Sequence, residues 1–257
     1  MQPKVESLNL GLCRIDMACM DRVLSEIRFM RCNNKKGYII TPNIDHLARL
    51  AEVPSGRKLR DLYFSATLSL CDSRILEFIL KAHGCRLPGV VTGSDLTARL
   101  FRDEIKKEDK VYILGGDAET LEKISSRFPY IDIAHHNPSM GFINKTEEVK
   151  DVVANIVDSH SNYVFLAVGS PQQEIIASKL MSEERFDGLA FCIGASMLFL
   201  AGSEKRAPHW MQRLRLEWLY RLMQNPKRMA MRYFNNALKL PFINRQIAIH
   251  LRQNAES

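Results

Sequence analysis

The 257-residue sequence has no apolar run approaching the ~20 residues that a membrane-spanning helix needs. Its N-terminus lacks the basic start and long apolar stretch of a secretory signal peptide. The six cysteines form no CxxC pair and have no histidine at metal-ligand spacing, which argues against a zinc site and a disulfide framework. With 46% hydrophobic and 25% charged residues, the composition is typical of a soluble globular protein. We therefore expect a cytoplasmic chain with a substantial core.

Acidic residues are nearly missing from the C-terminal fifth of the chain. Residues 205–252 contain eleven Lys or Arg and one acid, Glu217, whereas the remainder has 25 basic and 28 acidic residues. The net charge of +7 therefore divides the sequence into a mildly acidic body, 1–203, and a basic appendage, 204–257. A basic segment of this kind binds nucleic acid, anionic lipid or an acidic partner.

The appendage has the pattern of two amphipathic helices. Apolar residues recur every four positions from Trp210 to Leu222, and Asn225-Pro226 ends this first helix. Arginine opposite Trp, Leu and Met is typical of a helix that lies in a membrane interface, so we expect an anionic membrane surface as partner. Nucleic acid is not expected, because no known binding module accompanies the charge. Two helices packed on the body are the alternative, and an exposed apolar appendage also favours a homo-oligomer away from the membrane.

The body lacks the glycine motifs GxGxxG and GxxxxGK[ST], which leaves a nicotinamide-dependent oxidoreductase poorly supported. Short apolar runs nevertheless alternate with the helical patterns of residues 117–128 and 145–160. The candidate strands are residues 37–41, 110–116, 131–136, 162–168 and 188–194. This alternation predicts an α/β fold, a Rossmann-like, mostly parallel sheet flanked by helices, with ligands at the carboxyl ends of the strands.

The stretch VFLAVGSPQQE (164–174) is a buried strand that stops at a glycine and continues as a helix. Gly169 permits a sharp turn, Ser170 suits the N-cap, and Pro171 suits the first helical position. Residues 172–174 then lie on the first helical turn, whose backbone N–H groups favour anions, phosphate above all. An ordinary capped turn and an anion-binding turn both explain this stretch.

Other predicted strand ends also carry polar or glycine residues. Thr41-Pro42-Asn43 supplies a hydroxyl and an amide, which suit either substrate binding or a structural turn. Asp72 is either a general base or the cap of a helix over 75–84. Gly115 and Gly116 end a strand as a nucleotide-binding loop would. Segment 92–96 predicts a turn and N-cap, and the adjacent histidines of 135–138 make a poor metal pair that is more typical of a polar loop.

Together these residues resemble the WecG/TagA/CpsF family of bacterial glycosyltransferases over most of the chain. The resemblance lies in AVGSPQQE (167–174), TPN (41–43), GSDL (93–96), YILGG (112–116) and the block 202–234. HNPSMGF (136–142) is similar to the variant of exopolysaccharide members. The resemblance implies an inverting enzyme that moves a sugar from a UDP-sugar donor to a sugar on undecaprenyl diphosphate. It also implies exopolysaccharide or capsule synthesis, no cofactor or metal, and a peripheral position on the inner face of the bacterial cell membrane.

The resemblance also implies roles for individual residues. Asp72 matches the family's catalytic base, and Gln173 matches its motif amide. The substrate-binding candidates are Thr41, Asn43, Gly115, Gly116, Gly169, Ser170, Gln173, Glu174, Arg206 and Arg221. The two arginines, from the appendage, would neutralise a diphosphate, a role that suits guanidinium groups.

Three positions depart from the family pattern. Ser73 follows the aspartate where many members have Gly, Val90 replaces a common Arg, and Leu198 stands where Asp is frequent. These departures motivate an alternative: a non-catalytic nucleotide-sugar or lipid-binding subunit of a polysaccharide assembly complex. Glucose, N-acetylmannosamine and a uronic acid all remain as donor sugars.

Overall fold

The computed structural model describes residues 5–204, 211, 217–224 and 226–255. A two-stranded antiparallel hairpin comes first, formed by β1 (Ser7–Asn9) and β2 (Arg14–Asp16). Six further strands form one parallel sheet: β3 (Gly37–Ile40), β4 (Leu68–Ser69), β5 (Lys110–Leu114), β6 (Asp132–His136), β7 (Tyr163–Leu166) and β8 (Leu189–Cys192). Their order across the sheet is β4-β3-β8-β7-β5-β6, and every neighbouring pair is parallel.

Helices connect and cover these strands. They are α1 (Met20–Cys32), α2 (Ile44–Leu50), α3 (Ser55–Phe64), α4 (Arg74–Ala82), α5 (Gly93–Arg99), α6 (Ala118–Arg127), α7 (Thr146–Asp158), α8 (Gln172–Ser182), α9 (Ser196–Leu200), α10 (Glu217–Gln224) and α11 (Pro226–Ala255). A π-helical turn, Leu100–Glu104, extends α5, and a 3-10 turn, Phe142–Asn144, precedes α7. Among the described helices, none has both the length and the apolar character needed to cross a bilayer.

Helices cover both faces of the sheet, as expected for central strands that are apolar at consecutive positions. In β3, Tyr38 and Ile40 belong to one buried cluster, and Ile39 belongs to the other. The first cluster includes apolar residues of α2, α4, α7 and α8, and the second includes those of α1, α5 and α6. The predicted α/β class, the parallel sheet and its flanking helices are therefore confirmed.

All five predicted strands are present, as are the predicted helices over 117–128 and 145–160, now α6 and α7, and the one over 75–84, now α4. The hairpin β1–β2 and the strand β4 were not predicted from the sequence. The reason for β4 is its length, since a strand of two residues is too short to show an apolar alternation.

The C-terminal helix shares the core of the body. Ile243, Ile247 and Leu251 lie four residues apart on α11, and all three are buried in the same cluster as α2 and α4. Helix α10 ends at Gln224 and α11 begins at Pro226. The predicted break at Asn225-Pro226 involves a residue outside the described ones and stays a prediction. The division into a body, 1–203, and an appendage, 204–257, stays a prediction.

Candidate active site

The candidate site lies along the carboxyl edge of the sheet, where β4, β3, β8 and β7 are neighbours. Thr41 follows β3, Asp72 follows β4, Gly194 follows β8, and Ser170 follows β7. Because all these strands are parallel, their carboxyl ends meet at one edge. The structure thus gathers most of the predicted site residues along one line.

Asp72 contacts the chain on both sides of this edge. Its backbone N–H donates to the carbonyl of Pro42, at 3.0 Å, and its Oδ2 accepts from the backbone N–H of Gly93, at 3.3 Å. The cap of α4 is instead Ser73, whose Oγ accepts from the N–H of Leu76 at 3.1 Å. The expectation that Asp72 caps this helix is therefore wrong, and its half-buried carboxylate lies at the start of α5.

Gly93 brings Asp72 next to the end of β3. A Cβ at this glycine would lie 3.0 Å from Ser196 Oγ and 3.2 Å from Thr41 Oγ1, so a larger residue would require these hydroxyl groups to shift. The Thr41 hydroxyl is buried and donates to the carbonyl of Cys192 at 3.5 Å. The predicted cap in segment 92–96 is confirmed, because Thr92 Oγ1 accepts from the N–H of Asp95. Asp72 and Thr41 thus flank the same glycine.

Asn43 is the N-cap of α2. Its Oδ1 accepts from the backbone N–H groups of Asp45, at 3.0 Å, and His46, at 3.3 Å. In return, His46 Nδ1 accepts from the N–H of Asn43 at 3.2 Å, which completes a capping box. Since the amide oxygen serves the helix, the amide N–H₂ is the group that Asn43 can present to a ligand.

Gln173 and Glu174 join the loops after β7 and β8 from inside the protein. Gln173 Oε1 accepts from the N–H of Gly194, and its Nε2 donates to Glu174 Oε1, both at 2.9 Å. The two side chains are 2% and 1% exposed. The other carboxylate oxygen, Glu174 Oε2, is buried and has no partner within the described residues. In this arrangement the pair fixes the backbone of the site, and its predicted contact with a donor stays a prediction.

Tyr63 of α3 completes this buried group. Its hydroxyl donates to Glu174 Oε1 at 3.1 Å, and Ser170 Oγ lies 3.1 Å from the phenol oxygen. Burial and the charge of Glu174 raise the pKa of Tyr63, so the phenol keeps its proton and donates it to the carboxylate. Ser170 is then the donor to the phenol oxygen. Tyr63 was not among the predicted site residues, since its position on an apolar helix face is all that the sequence shows.

The turn at Gly169 differs from the prediction by one residue. Helix α8 begins at Gln172, its N-cap is Pro171, and no side chain caps it. The predicted capping role of Ser170 is therefore wrong, because its hydroxyl contacts Tyr63. Gly169 has a φ of +78°, which favours glycine, and no atom lies within 4 Å of the position of a Cβ. Open space beside this backbone leaves room for a ligand.

Gly115 and Gly116 lie at the end of β5, beyond β7. A Cβ at Gly115 would lie 3.0 Å from the backbone of Ala167, so this position requires glycine. His135 Nε2 lies 3.2 Å from the carbonyl oxygens of both glycines and donates to them. The expectation of a polar loop is wrong for His135, which lies in β6 and braces the glycine turn.

The structure does not describe the side chains of the two predicted arginines. Arg206 lies outside the described residues. Arg221 belongs to α10, where the structure describes it by its backbone alone. Their role at a diphosphate stays a prediction.

The chain is similar in sequence to known glycosyltransferases. The chain matches the family model described as "Glycosyl transferase WecG/TagA/CpsF family" over residues 8–254. It is 30% identical over 228 residues to the N-acetylglucosaminyldiphosphoundecaprenol N-acetyl-beta-D-mannosaminyltransferase of Bacillus spizizenii, covering 87% of this chain and 83% of that relative. Proteins of the same name are also 30% identical: that of Bacillus subtilis over 175 residues, 65% of each chain, and that of Staphylococcus aureus over 150 residues, 56% of this chain and 55% of that relative.

Proposed function

The chain belongs to the WecG/TagA/CpsF family of glycosyltransferases, and from this premise we propose that it transfers a sugar from a UDP-sugar to a sugar carried on undecaprenyl diphosphate. The names of its relatives support N-acetylglucosamine as the acceptor sugar and N-acetylmannosamine as the first donor sugar to test. The product would enter a bacterial cell-surface polysaccharide, exopolysaccharide or capsule.

The observation that carries this proposal is the position of Asp72. Its carboxylate lies at the carboxyl edge of the sheet, where it accepts from the N–H of Gly93, and the helix α4 that follows is capped by Ser73. The Thr41 hydroxyl and the Asn43 cap are on the adjacent strand end. A carboxylate beside polar groups at such an edge suits a general base that acts on a bound hydroxyl.

In the proposed reaction, the acceptor hydroxyl oxygen attacks the anomeric carbon of the donor sugar. The bond between that carbon and the β-phosphate oxygen breaks, and UDP leaves with the bonding electron pair. Asp72 takes the proton of the acceptor hydroxyl. A single displacement inverts the configuration at the anomeric carbon, so an α-linked donor yields a β-glycosidic bond.

The leaving UDP carries new negative charge that the protein has to stabilise. We assign this role to the open backbone at Gly169 and to Arg206 and Arg221 of the appendage. Gly115 and Gly116, further along the same edge, are assigned to the nucleoside side of the donor. This assignment requires no metal ion.

The acceptor lipid requires the enzyme to work at a membrane surface. Helix α11 supports this, because Met231, Phe234, Leu238 and Phe242 form an exposed apolar stripe at three- and four-residue spacing. The appendage is also strongly basic, which favours an anionic leaflet. We therefore propose a peripheral position on the inner face of the cell membrane.

A transfer assay with a panel of donors tests the proposal. UDP-linked N-acetylmannosamine, glucose and a uronic acid are each offered with lipid-diphosphate-linked N-acetylglucosamine, in the presence of a chelator. We expect transfer from one donor, undiminished by the chelator, with a β-bond in the product. Intact UDP binding without transfer from any donor would contradict the proposal and favour the binding subunit that Val90 and Leu198 suggest.

A further inference from the structure

An ion pair connects the C-terminal helix to the first turn of α2. Arg232 Nε donates to Asp45 Oδ1 and its Nη2 donates to Asp45 Oδ2, both at 2.7 Å. Asn236, one turn further along α11, donates from Nδ2 to Asp45 Oδ1 at 3.3 Å. Two parallel hydrogen bonds between guanidinium and carboxylate fix direction as well as distance. Helix α11 therefore holds the Asp45 carboxylate in one orientation.

The same turn of α2 carries Asn43. Asp45 is bound to Asn43 through its backbone, because its N–H donates to Asn43 Oδ1 at 3.0 Å. Asp45 thus contacts Arg232 with its side chain and Asn43 with its main chain. A displacement of the carboxylate would move the N–H that orients the Asn43 amide.

His46 holds this turn from the interior. Its Nδ1 accepts from the N–H of Asn43, and its ring lies 6.1 Å from the ring of Tyr63, centroid to centroid. Tyr63 in turn donates to the buried Glu174. The first turn of α2 is therefore held between the buried polar group on one side and α11 on the other.

The surroundings of Asp45 stabilise its charged form. Burial alone would raise the pKa of its carboxyl, but the charge of Arg232 and the hydrogen bonds from Arg232 and Asn236 outweigh burial and lower it. Arg49 adds a second cation, 3.6 Å from Oδ2. Because the carboxylate is only 18% exposed, salt screens this pair less than it screens a surface pair.

We propose that Arg232 is a positioning residue for the transfer reaction. Through Asp45 it fixes the first turn of α2, and so the direction in which Asn43 presents its amide N–H₂ to the donor sugar. The inference rests on the proposed function, and it takes Asn43, a substrate-binding candidate from the sequence, as a group that binds the donor sugar. The helix that bears the proposed membrane surface would then also support the donor site, through Asp45.

The chain supplies a matched control on the same helix. Lys239 of α11 pairs with Glu52, which follows the end of α2. This second ion pair joins the same two parts of the chain, but it does not contact the turn that carries Asn43. Loss of the Lys239 pair therefore reports what an ion pair contributes to holding α11, separately from the orientation of Asn43.

The test compares the full-length wild type with Arg232→Ala, Arg232→Lys and Lys239→Ala. UDP-sugar affinity is measured by calorimetry, donor KM and kcat by the transfer assay, and folding by thermal unfolding. We expect Arg232→Ala to weaken donor affinity and raise donor KM about tenfold or more, because misplacing a binding group by ~1 Å is costly. Arg232→Lys should recover only part of this loss, since an ammonium cannot form the two-bond pair. Lys239→Ala should stay within about twofold of wild type.

A double variant separates positioning from a general loss of structure. Asp45→Ala is measured alone and combined with Arg232→Ala. The double variant should bind donor no worse than the weaker of the two single variants, because both substitutions remove the same linkage. Equal effects of Arg232→Ala and Lys239→Ala, or additive effects in the double variant, would overturn the proposal.

If wild type binds donor but transfers no sugar, the proposed function fails while the affinity comparison still decides the role of Arg232. If wild type binds no UDP-sugar, both are overturned.

Discussion

At the scale of single residues, the chemistry of the edge depends on which polar groups the fold already uses. Ser73 caps α4, so the Asp72 carboxylate is not needed there. The Asn43 oxygen serves α2, which leaves its amide N–H₂ for a ligand. Gln173 uses both ends of its amide inside the protein. The departure at Ser73 thus has a structural reason, since its hydroxyl supplies a helix cap.

The paired glycines after β5 give a prediction at this scale. Both have positive φ, +92° at Gly115 and +84° at Gly116, so alanine costs about 1–2 kcal/mol of stability at either position. At Gly115 the Cβ would also lie 3.0 Å from the Ala167 backbone, whereas at Gly116 its closest neighbour is 3.8 Å away. We expect Gly115→Ala to lower the free energy of unfolding more than Gly116→Ala, as measured by urea titration. Equal losses would show that the close approach to Ala167, directly after β7, does not affect the free energy of unfolding.

At the scale of elements, α2 couples the site to its surroundings through its first turn. Asn43, Asp45 and His46 each use a backbone or side-chain group to hold that turn. The three residues face different partners: the ligand edge, α11 and the buried group around Glu174. A short helix is thereby fixed at its N-terminal end, where the proposed donor contact lies.

The pKa of His46 makes α2 sensitive to acid. Loss of hydration lowers this pKa from its ordinary 6.5, more than the carboxylates of Glu174 and Asp45 raise it, and Arg49 and Arg232 lower it further. Below about pH 6.5 the unfolded chain therefore binds a proton that the folded chain does not, so stability falls as pH falls. In His46→Gln the capping box is retained without a titrating group. We expect this variant to lose less stability than wild type between pH 7 and pH 5 in urea titrations; parallel curves would contradict this account.

Helix α11 has two apolar faces with different tasks. Ile243, Ile247 and Leu251 are buried in the core, whereas Met231, Phe234 and Leu238 are each more than 60% exposed. Deleting residues 205–257 would remove both faces, and would expose core as well as abolish a membrane surface. Substitutions on the exposed face are therefore the sharper test of membrane binding.

We expect Phe234→Asp and Leu238→Asp to reduce co-flotation with anionic liposomes, because each replaces an inserting apolar group with a negative charge. Met140→Asp is the control, since Met140 is 99% exposed and lies in the loop after β6. Thermal unfolding of all three variants should match wild type. Equal flotation of the α11 variants and wild type would contradict a membrane role for this face.

At the scale of the whole molecule, the sheet was predictable because most of its strands have a recognisable local pattern of apolar residues. Runs such as those of β5, β7 and β8 are apolar at consecutive positions, and helices of three- and four-residue periodicity separate them. The parallel order then places the carboxyl ends together. β4 has no such pattern, because it is two residues long and is defined by pairing with β3.

The site was predictable only where it depends on this topology. Thr41, Asp72 and Gly169 are at strand ends and could be proposed from the sequence and the family resemblance. The role of Tyr63 depends on how α3 packs against the start of α8, and the pair Arg232–Asp45 joins residues 187 positions apart. Local patterns carry no information on such contacts. The sequence around Ser170 predicts a helix cap, because its true partner, Tyr63, is close in the fold but distant in sequence.

The role of Asp72 as the base is best decided by comparing wild type with Asp72→Asn. Both proteins are given a UDP-sugar donor and lipid-diphosphate-linked N-acetylglucosamine in anionic liposomes, and donor affinity is measured in parallel. We expect transfer by wild type and a loss of about 10²–10⁴-fold in the variant, with donor affinity within about threefold, because the amide keeps the shape of the carboxylate but accepts no proton. Undiminished transfer by Asp72→Asn would contradict the account.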